Sequence, residues 1–276
     1  MWTLTGFADE ISPDLDEQLN TLADESIHHV ELRSVWNKNV LDLTDEELDI
    51  VKSKVVRHGI KVSSIGSPIG KVPVTDDFGP HLRRFRRALE VAGRMEAPYI
   101  RVFSFFIPEG QDPVLYRDEV LERMSTLARG AEDLGVTLLH ENEKGIYGDV
   151  PHRCLDILTG VGSPALRAVW DAANFVQCGV KRPYSEGFET LRPFIEYVHV
   201  KDALASSGQV VPAGEGDGEL SETVSALRSS GFDGFFSLEP HLALSGTYSG
   251  FSGPELFRKA AGAFKRLLRE QGIEWT

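Results

Sequence analysis

Residues 136–141 read VTLLHE, 166–171 LRAVWD, 196–200 EYVHV and 234–239 GFFSLE. Each is a short apolar run rich in β-branched and aromatic residues, the composition of a buried strand. Each also carries, at or beside its C-terminal end, a residue able to bind a metal: Glu141, Asp171, His199 and Glu239. Apolar strands have a physical reason to avoid such endings, because a buried carboxylate without a partner costs several kcal/mol. One acid at a strand end is most often a loop cap or an ion pair. Four such endings on four successive strands point to a shared purpose.

Working outward, the same alternation of β-run and amphipathic helix fills the chain. Trp2 to Phe7 is a first run, with Ser12-Pro13 expected to open a helix carrying Leu15, Leu19, Leu22 and Ala23 at helical spacing. HHVEL (28–32) precedes a helix whose Thr44 and Glu47 form a Thr-x-x-Glu capping box and which Gly59 stops. IKVSSIG (60–66) leads into a helix with Leu82, Phe85, Leu89 and Ala92 on one stripe. YIRVFSFF (99–106) is the fourth run, followed by a helix from Asp112-Pro113 to Gly135. Helices are further expected across 150–160, 184–193, near 219–230, and from about 254 to 270.

Eight strand-helix units imply a parallel sheet, and eight right-handed crossovers close most naturally into a single (β/α)8 TIM barrel, an α/β fold spanning 1–276. An open doubly wound sheet would show a Gly-rich phosphate turn after an early strand, and none is present. In such a barrel catalytic groups project from the C-terminal ends of the strands, which is where the four candidate ligands fall.

Composition fits this class: 276 residues, 41% hydrophobic and 26% charged. With 42 acidic and 29 basic residues the net charge is -13, which disfavours nucleic acid and anionic membrane surfaces as partners. The two cysteines, Cys154 and Cys178, make no disulfide framework, and no stretch approaches the roughly 18 apolar residues of a membrane span, so a cytoplasmic location is expected. No Lys/Arg cluster marks a phosphate pocket, which favours an unphosphorylated substrate.

Three carboxylates converging on one rim repel each other unless a cation lies among them. Three oxygen-donor residues and one imidazole suit one divalent ion, Mn²⁺ first, with Mg²⁺, Co²⁺ or Zn²⁺ as alternatives. Lys201 is two residues beyond His199, so strand alternation places both on one side. Either it stabilises negative charge on a bound ligand or it neutralises Asp171 or Glu239. Trp36, after strand two, either stacks on a bound ligand or packs on its own loop. His241 shares the parity of Glu239 and is a candidate substrate contact, whereas His140 alternates away from Glu141 as a structural histidine.

The stretches LLHENE (138–143), WDAANF (170–175), YVHVKDA (197–203), VPAGEGDG (211–218) and FSLEPH (236–241) resemble the xylose-isomerase-like TIM barrel superfamily over essentially the whole chain. That superfamily includes sugar isomerases and epimerases, inosose-processing enzymes and the endonuclease IV group. The resemblance implies a metal bound by Glu141, Asp171, His199 and Glu239, and places Asn174 and Glu215 at the substrate rim. Two positions depart from the pattern: Asn174 stands where many members carry a histidine, and KDALASSG (201–208) lacks the arginine of ketose 3-epimerases.

What the resemblance implies is metal-dependent isomerisation or epimerisation of a sugar or keto-polyol through a metal-stabilised enediolate, with Glu141 and Glu239 as the acid-base pair. The same metal and base would serve an inosose dehydratase-like or keto-glycoside lyase or hydratase reaction. A non-catalytic sugar-binding barrel is the non-enzyme alternative. The DNA-repair branch needs three metals and more histidines than the eight present. A homodimer is expected only by analogy.

Overall fold

The computed structural model describes residues 1–242 and 253–276. Eight parallel strands stand in a ring: β1 (Thr3–Gly6), β2 (His29–Leu32), β3 (Lys61–Ile65), β4 (Tyr99–Val102), β5 (Thr137–Glu141), β6 (Leu166–Asp171), β7 (Ile195–Val200) and β8 (Phe235–Leu238). Hydrogen-bonded neighbours run β2-β3-β4-β5-β6-β7-β8-β1, so the barrel is nearly closed. β1 lies beside β2 without a ladder among the described residues. Its N–H groups on that edge go instead to residues near 275: Trp2 donates to Glu274 O at 3.2 Å and Leu4 to Thr276 O at 2.8 Å.

Local chemistry explains where the helices begin and end. α2 (Asp45–Arg57) starts at the expected capping box, with both reciprocal bonds between Thr44 and Glu47 formed, and stops at Gly59, whose φ of 67° suits a residue without Cβ. α1 (Leu15–Asp24) corrects the expectation at Ser12-Pro13: Asp14 is the N-cap and accepts from Glu17 N, while Ser12 Oγ accepts from Asp14 N. The anionic carboxylate is the stronger acceptor for an unpaired helix N–H. α3 (Phe78–Met95), α4 (Arg117–Glu132) and α5 (Pro151–Val161) follow, then a short α6 (Ala172–Gln177) that sequence patterning had not separated. The helix expected over 184–193 is a π-helical turn, Tyr184–Phe188, running into α7 (Glu189–Leu191) and a 3₁₀ turn. There a Cβ on Gly187 would meet Pro151 at 2.5 Å, so only glycine allows that approach to α5. α8 (Leu220–Ser229) and α9 (Gly253–Glu270) complete the ring. Among the described residues no helix is long and apolar enough to cross a membrane.

The fourth strand is shorter than the expected 99–106. Phe105 sits at φ 65°, a left-handed conformation that ends extended structure. Residues 103–107 instead stitch the rim loops together: Phe103 N donates to Ile69 O at 2.7 Å, Phe105 N to Gly70 O at 2.9 Å and Ile107 N to Gly145 O at 2.9 Å.

Inward-facing residues on the strands are odd-numbered, and their chemistry changes along the axis. Leu139, Val169 and Tyr197 pack with Tyr99 and Phe235 as an apolar layer. Above it Thr5 and Ser63 share a hydrogen bond of 2.8 Å, and Ser63 meets the Tyr197 hydroxyl at 3.0 Å. The next inward residues are charged: Glu31, Arg101, Glu141, Asp171 and His199. The gradient puts the polar constellation at the C-terminal mouth, as barrel geometry requires.

Candidate metal centre

Four strands deliver the four predicted ligands. Glu141 and Asp171 end β5 and β6, His199 is one residue short of the end of β7, and Glu239 follows β8. All four are buried, and one ligand atom from each lies within 4.8 Å of the others. His199 Nδ1 is 3.2 Å from Glu141 Oε1, 3.7 Å from Glu239 Oε2 and 3.9 Å from Asp171 Oδ2. Glu141 Oε2, Asp171 Oδ2 and His199 Nδ1 have no well-formed hydrogen bond although charged groups stand nearby. Buried ligand atoms left without a partner on three strands, facing one another, are what a divalent cation satisfies once it displaces the imidazole proton. The donor set therefore fits a metal ion.

The surroundings hold each ligand in place. Asn174 Nδ2 donates to Glu141 Oε1 at 3.1 Å, and Asn174 N donates to Asp171 Oδ1 at 2.8 Å. Asn174 is thus a brace for two ligands as well as a residue of the cleft wall. Lys201 Nζ lies 2.8 Å from Glu239 Oε2 and 3.0 Å from Asp171 Oδ2. Burial works against its charge, yet the Asp171 and Glu239 carboxylates raise its pKa above that of a free lysine. Its ammonium is a fixed hydrogen-bond donor, unsuited to act as a base.

Burial alone would raise Glu141, but the His199 and Arg101 charges bring it below the usual carboxylate range. Lys201, His241 and His199 do the same for Glu239 against its own burial. Asp171 moves the other way, raised by burial. Burial opposes charge on His199, while Glu141 and Glu31 together raise it to about 10.

Sequence reasoning missed three residues at the mouth. Glu31, on β2, faces His199 Nε2 at 3.2 Å from the side opposite the ligand set. Arg101, on β4, stands 3.2 Å from Glu141 Oε2. Arg33, just past β2, contacts Asp9 at 2.7 Å, and Glu10 and Glu239 at 3.4 Å each. His241 is a cleft residue that meets Glu10 Oε1 at 2.8 Å and Glu239 Oε1 at 3.5 Å.

Two predicted substrate contacts lie elsewhere. Trp36 is half-buried against the hydrophobic core, its backbone turned by a φ of 52°, and is not among the residues lining the cleft. Glu215 is exposed on the AGEGDG loop and also lies outside the cleft lining. That loop has a different task. Its Gly214, Gly216 and Gly218 N–H groups, with Ala203 N, donate to the Asp202 carboxylate at 2.9–3.1 Å. A Cβ on Gly216 would meet Asp202 Oδ1 at 2.4 Å, so the glycines admit the carboxylate. Asp202→Ala would orphan four donors at once, and a loss of about 3 kcal/mol or more is expected in urea unfolding. Asp202→Asn, keeping one acceptor oxygen, should lose less; equal midpoints for wild type and Asp202→Ala would dismiss the loop anchor.

The cleft above the ligand set encloses about 960 Å³. Its wall corrects the expectation that basic residues do not gather: Arg33, Lys71, Arg84, Arg101 and Lys201 all line it. They come from separate segments, so no cluster shows in the linear sequence.

The xylose isomerase-like TIM barrel model matches residues 19–273. An uncharacterized protein of Methanocaldococcus jannaschii is 26% identical over 161 residues, 56% of this chain and 54% of that protein, so the chain spans about half the length of this relative. Fructoselysine 3-epimerase of Escherichia coli O157:H7 is 26% identical over 219 residues, 73% of this chain and 76% of the enzyme. Among solved structures, a D-tagatose 3-epimerase-like protein superposes with a TM-score of 0.77 at 18% identity, covering 97% of both chains. The IOLI protein, solved with a zinc atom, gives 0.76 at 16% identity over 97% of this chain and 98% of that one. A Mycobacterium smegmatis barrel solved with magnesium gives 0.69 at 18% over 98% and 96%. With a family match running through seven of the eight strands and the described rim, the chain belongs to the xylose isomerase-like TIM barrel family.

Proposed function

We propose that this protein is a divalent-metal-dependent enzyme that moves a proton at the carbon next to a carbonyl of a small sugar or polyol, as an isomerase or epimerase. The observation that carries it is the convergence of Glu141, Asp171, His199 and Glu239 at the barrel mouth, where the first three each present a buried atom without a formed hydrogen bond. A divalent ion held by these four residues supplies Lewis acidity toward the substrate's carbonyl oxygen and its neighbouring hydroxyl.

The chain's own groups divide the remaining work. β6 and β7 separate the strands that carry Glu141 and Glu239, so these carboxylates approach the substrate from different sides. One takes the proton and the other returns it. Lys201 donates to the oxygen on which charge develops, since its ammonium stays protonated. Glu31 orients the His199 imidazole from behind, leaving Nδ1 for the ion. The similarity to a named 3-epimerase supports this class.

His199→Ala is expected to weaken metal binding by more than ~100-fold, and Glu31→Gln by about 10–100-fold, the range for a residue that orients a ligand. Elemental analysis and competition with a chelator would measure both. Circular dichroism should show the barrel intact, because rim groups add little to its packed interior. A His199→Ala protein that keeps one tightly bound ion and full turnover would place the centre elsewhere.

A further inference from the structure

We propose that the substrate carries an anionic oxo group, carboxylate or phosphate, received by Arg101 and Lys71 on the β3–β4 side of the mouth. This rests on the enzyme reading above and adds the substrate class to it.

Arg101 is buried to 4% exposure, yet its hydrogen bonding is incomplete. Nη2 makes one long bond to Gly66 O at 3.3 Å, and Nε has no partner. Nη1 is 3.2 Å from Glu141 Oε2, but that oxygen receives no well-formed bond and belongs to a residue needed for the metal. A guanidinium has five N–H donors, and leaving one unmet in a buried place costs about 1–3 kcal/mol. Two oxygens of a carboxylate or phosphate match its fork.

The guanidinium is held ready. Its carbon lies 4.9 Å from the ring centres of both Phe7 and Phe103. Lys71 Nζ lies 4.2 Å from the same Phe103 ring, so one aromatic side chain carries both cations. Both line the cleft.

Lys71 owes its place to an unusual backbone approach. Gly70, at φ +90°, brings its Cα so near β4 that a Cβ would stand 1.9 Å from Phe103 O. The bonds from Phe103 N to Ile69 O and from Phe105 N to Gly70 O fasten the loop there. The lysine's present partner is Glu143, at 2.6 Å on a rim where both side chains are about a third exposed. A solvated pair of this kind contributes at most about 1 kcal/mol, so a substrate anion can displace it.

The test uses full-length protein loaded with Mn²⁺. Calorimetry would compare neutral D-glucitol with D-gluconate and with D-glucitol 6-phosphate, and solvent deuterium uptake would compare a neutral ketose with a keto-aldonate and a ketose phosphate. At least one anionic probe should bind ~10-fold or more tightly than the neutral polyol, the gain of one charge-assisted contact. Lys71→Met and Arg101→Lys should each pull that ratio towards one. The winning probe separates carboxylate from phosphate. Equal affinities for charged and neutral probes, or a ratio untouched by both substitutions, would overturn the proposal. Lys71 is on the surface, so its variant will fold even if the Arg101 variant does not. An anion preference without deuterium uptake from any probe would sink the proton-transfer reading and leave the anion subsite. Deuterium uptake with equal efficiency on charged and neutral ketoses would do the reverse.

Discussion

Glu239→Gln, assayed with metal present, is expected to lower kcat by at least ~10²–10⁴-fold, the usual contribution of a positioned general base. Glutamine keeps the length and one oxygen donor but cannot accept the proton. The surroundings make this substitution harsher than its isostere appearance suggests. Glu239 Oε2 faces Lys201 at 2.8 Å, while Oε1 faces Arg33 at 3.4 Å and His241 at 3.5 Å. Whichever way the amide turns, its NH₂ meets a cation. Glu141→Gln has an easier alternative only in part, since Arg101 holds one side and His199 Nδ1 with Asn174 Nδ2 the other. Both variants should therefore lose some metal affinity, with Glu239→Gln losing more.

Metal occupancy has to be measured before the rates are compared. The decisive sample is a metal-loaded variant that binds substrate but exchanges no carbon-bound proton with D₂O. Near-normal turnover in metal-loaded Glu239→Gln would leave Glu239 as a ligand without a part in proton transfer. Elimination in place of epimerisation would show in the same assay as loss of water from the product, with the same two glutamates required.

The four candidate ligands were legible because each interrupts an apolar run, where a charged side chain has no cheap explanation. Arg101 in YIRVF and Glu31 in HHVEL were no less exposed to that logic. Both are odd-numbered and inward, like Glu141 and His199, but they sit within strands 2 and 4 and so resembled ordinary alternation of polar and apolar faces. Extending the inward parity from β5–β8 back to β2 and β4 would have found them. The capping box at Thr44 was legible because its chemistry is local. The ending of β4 was not, because FSFF has full β character and Phe105 leaves it only through bonds to a loop more than 30 residues earlier. The AGEGDG glycines were visible, yet their partner Asp202 lies a dozen residues upstream and signals nothing by itself. Trp36 follows the second of its two readings and packs against the core, for an aromatic near a barrel mouth need not face the cleft.

Acid should weaken the fold through two buried histidines, His81 and His140. His81 Nε2 accepts the Gly70 N–H at 2.8 Å, a bond that only the neutral imidazole can make. Ser104 Oγ accepts from Gly148 N at 2.8 Å and lies 2.9 Å from His140 Nε2, and burial favours the neutral form of this imidazole. Burial pushes both pKa values down to about 4, helped at His81 by Arg123 and Arg84 and opposed at His140 by Glu141. In the unfolded chain each returns to ~6.5. The folded values are depressed, so the unfolded chain binds more protons between pH 6.5 and 4. The contribution to stability is complete above pH 6.5 and is lost as pH falls toward 4. At pH 5 each histidine should cost about 2 kcal/mol, approaching about 3 kcal/mol by pH 4. Asp171, raised by burial, titrates in the opposite sense, so the wild-type curve alone does not isolate the effect. The comparison that does is urea unfolding at pH 7 and pH 5 for wild type, His81→Gln and His140→Gln. Glutamine offers an acceptor oxygen at either place but takes up no proton, so each variant should lose about 2 kcal/mol less than wild type between the two pH values. If the wild type and both variants decline in parallel, the two imidazoles are not the acid-sensitive groups. If only His140→Gln flattens the curve, Gly70 is held by its bond from Phe105 N whatever the charge on His81.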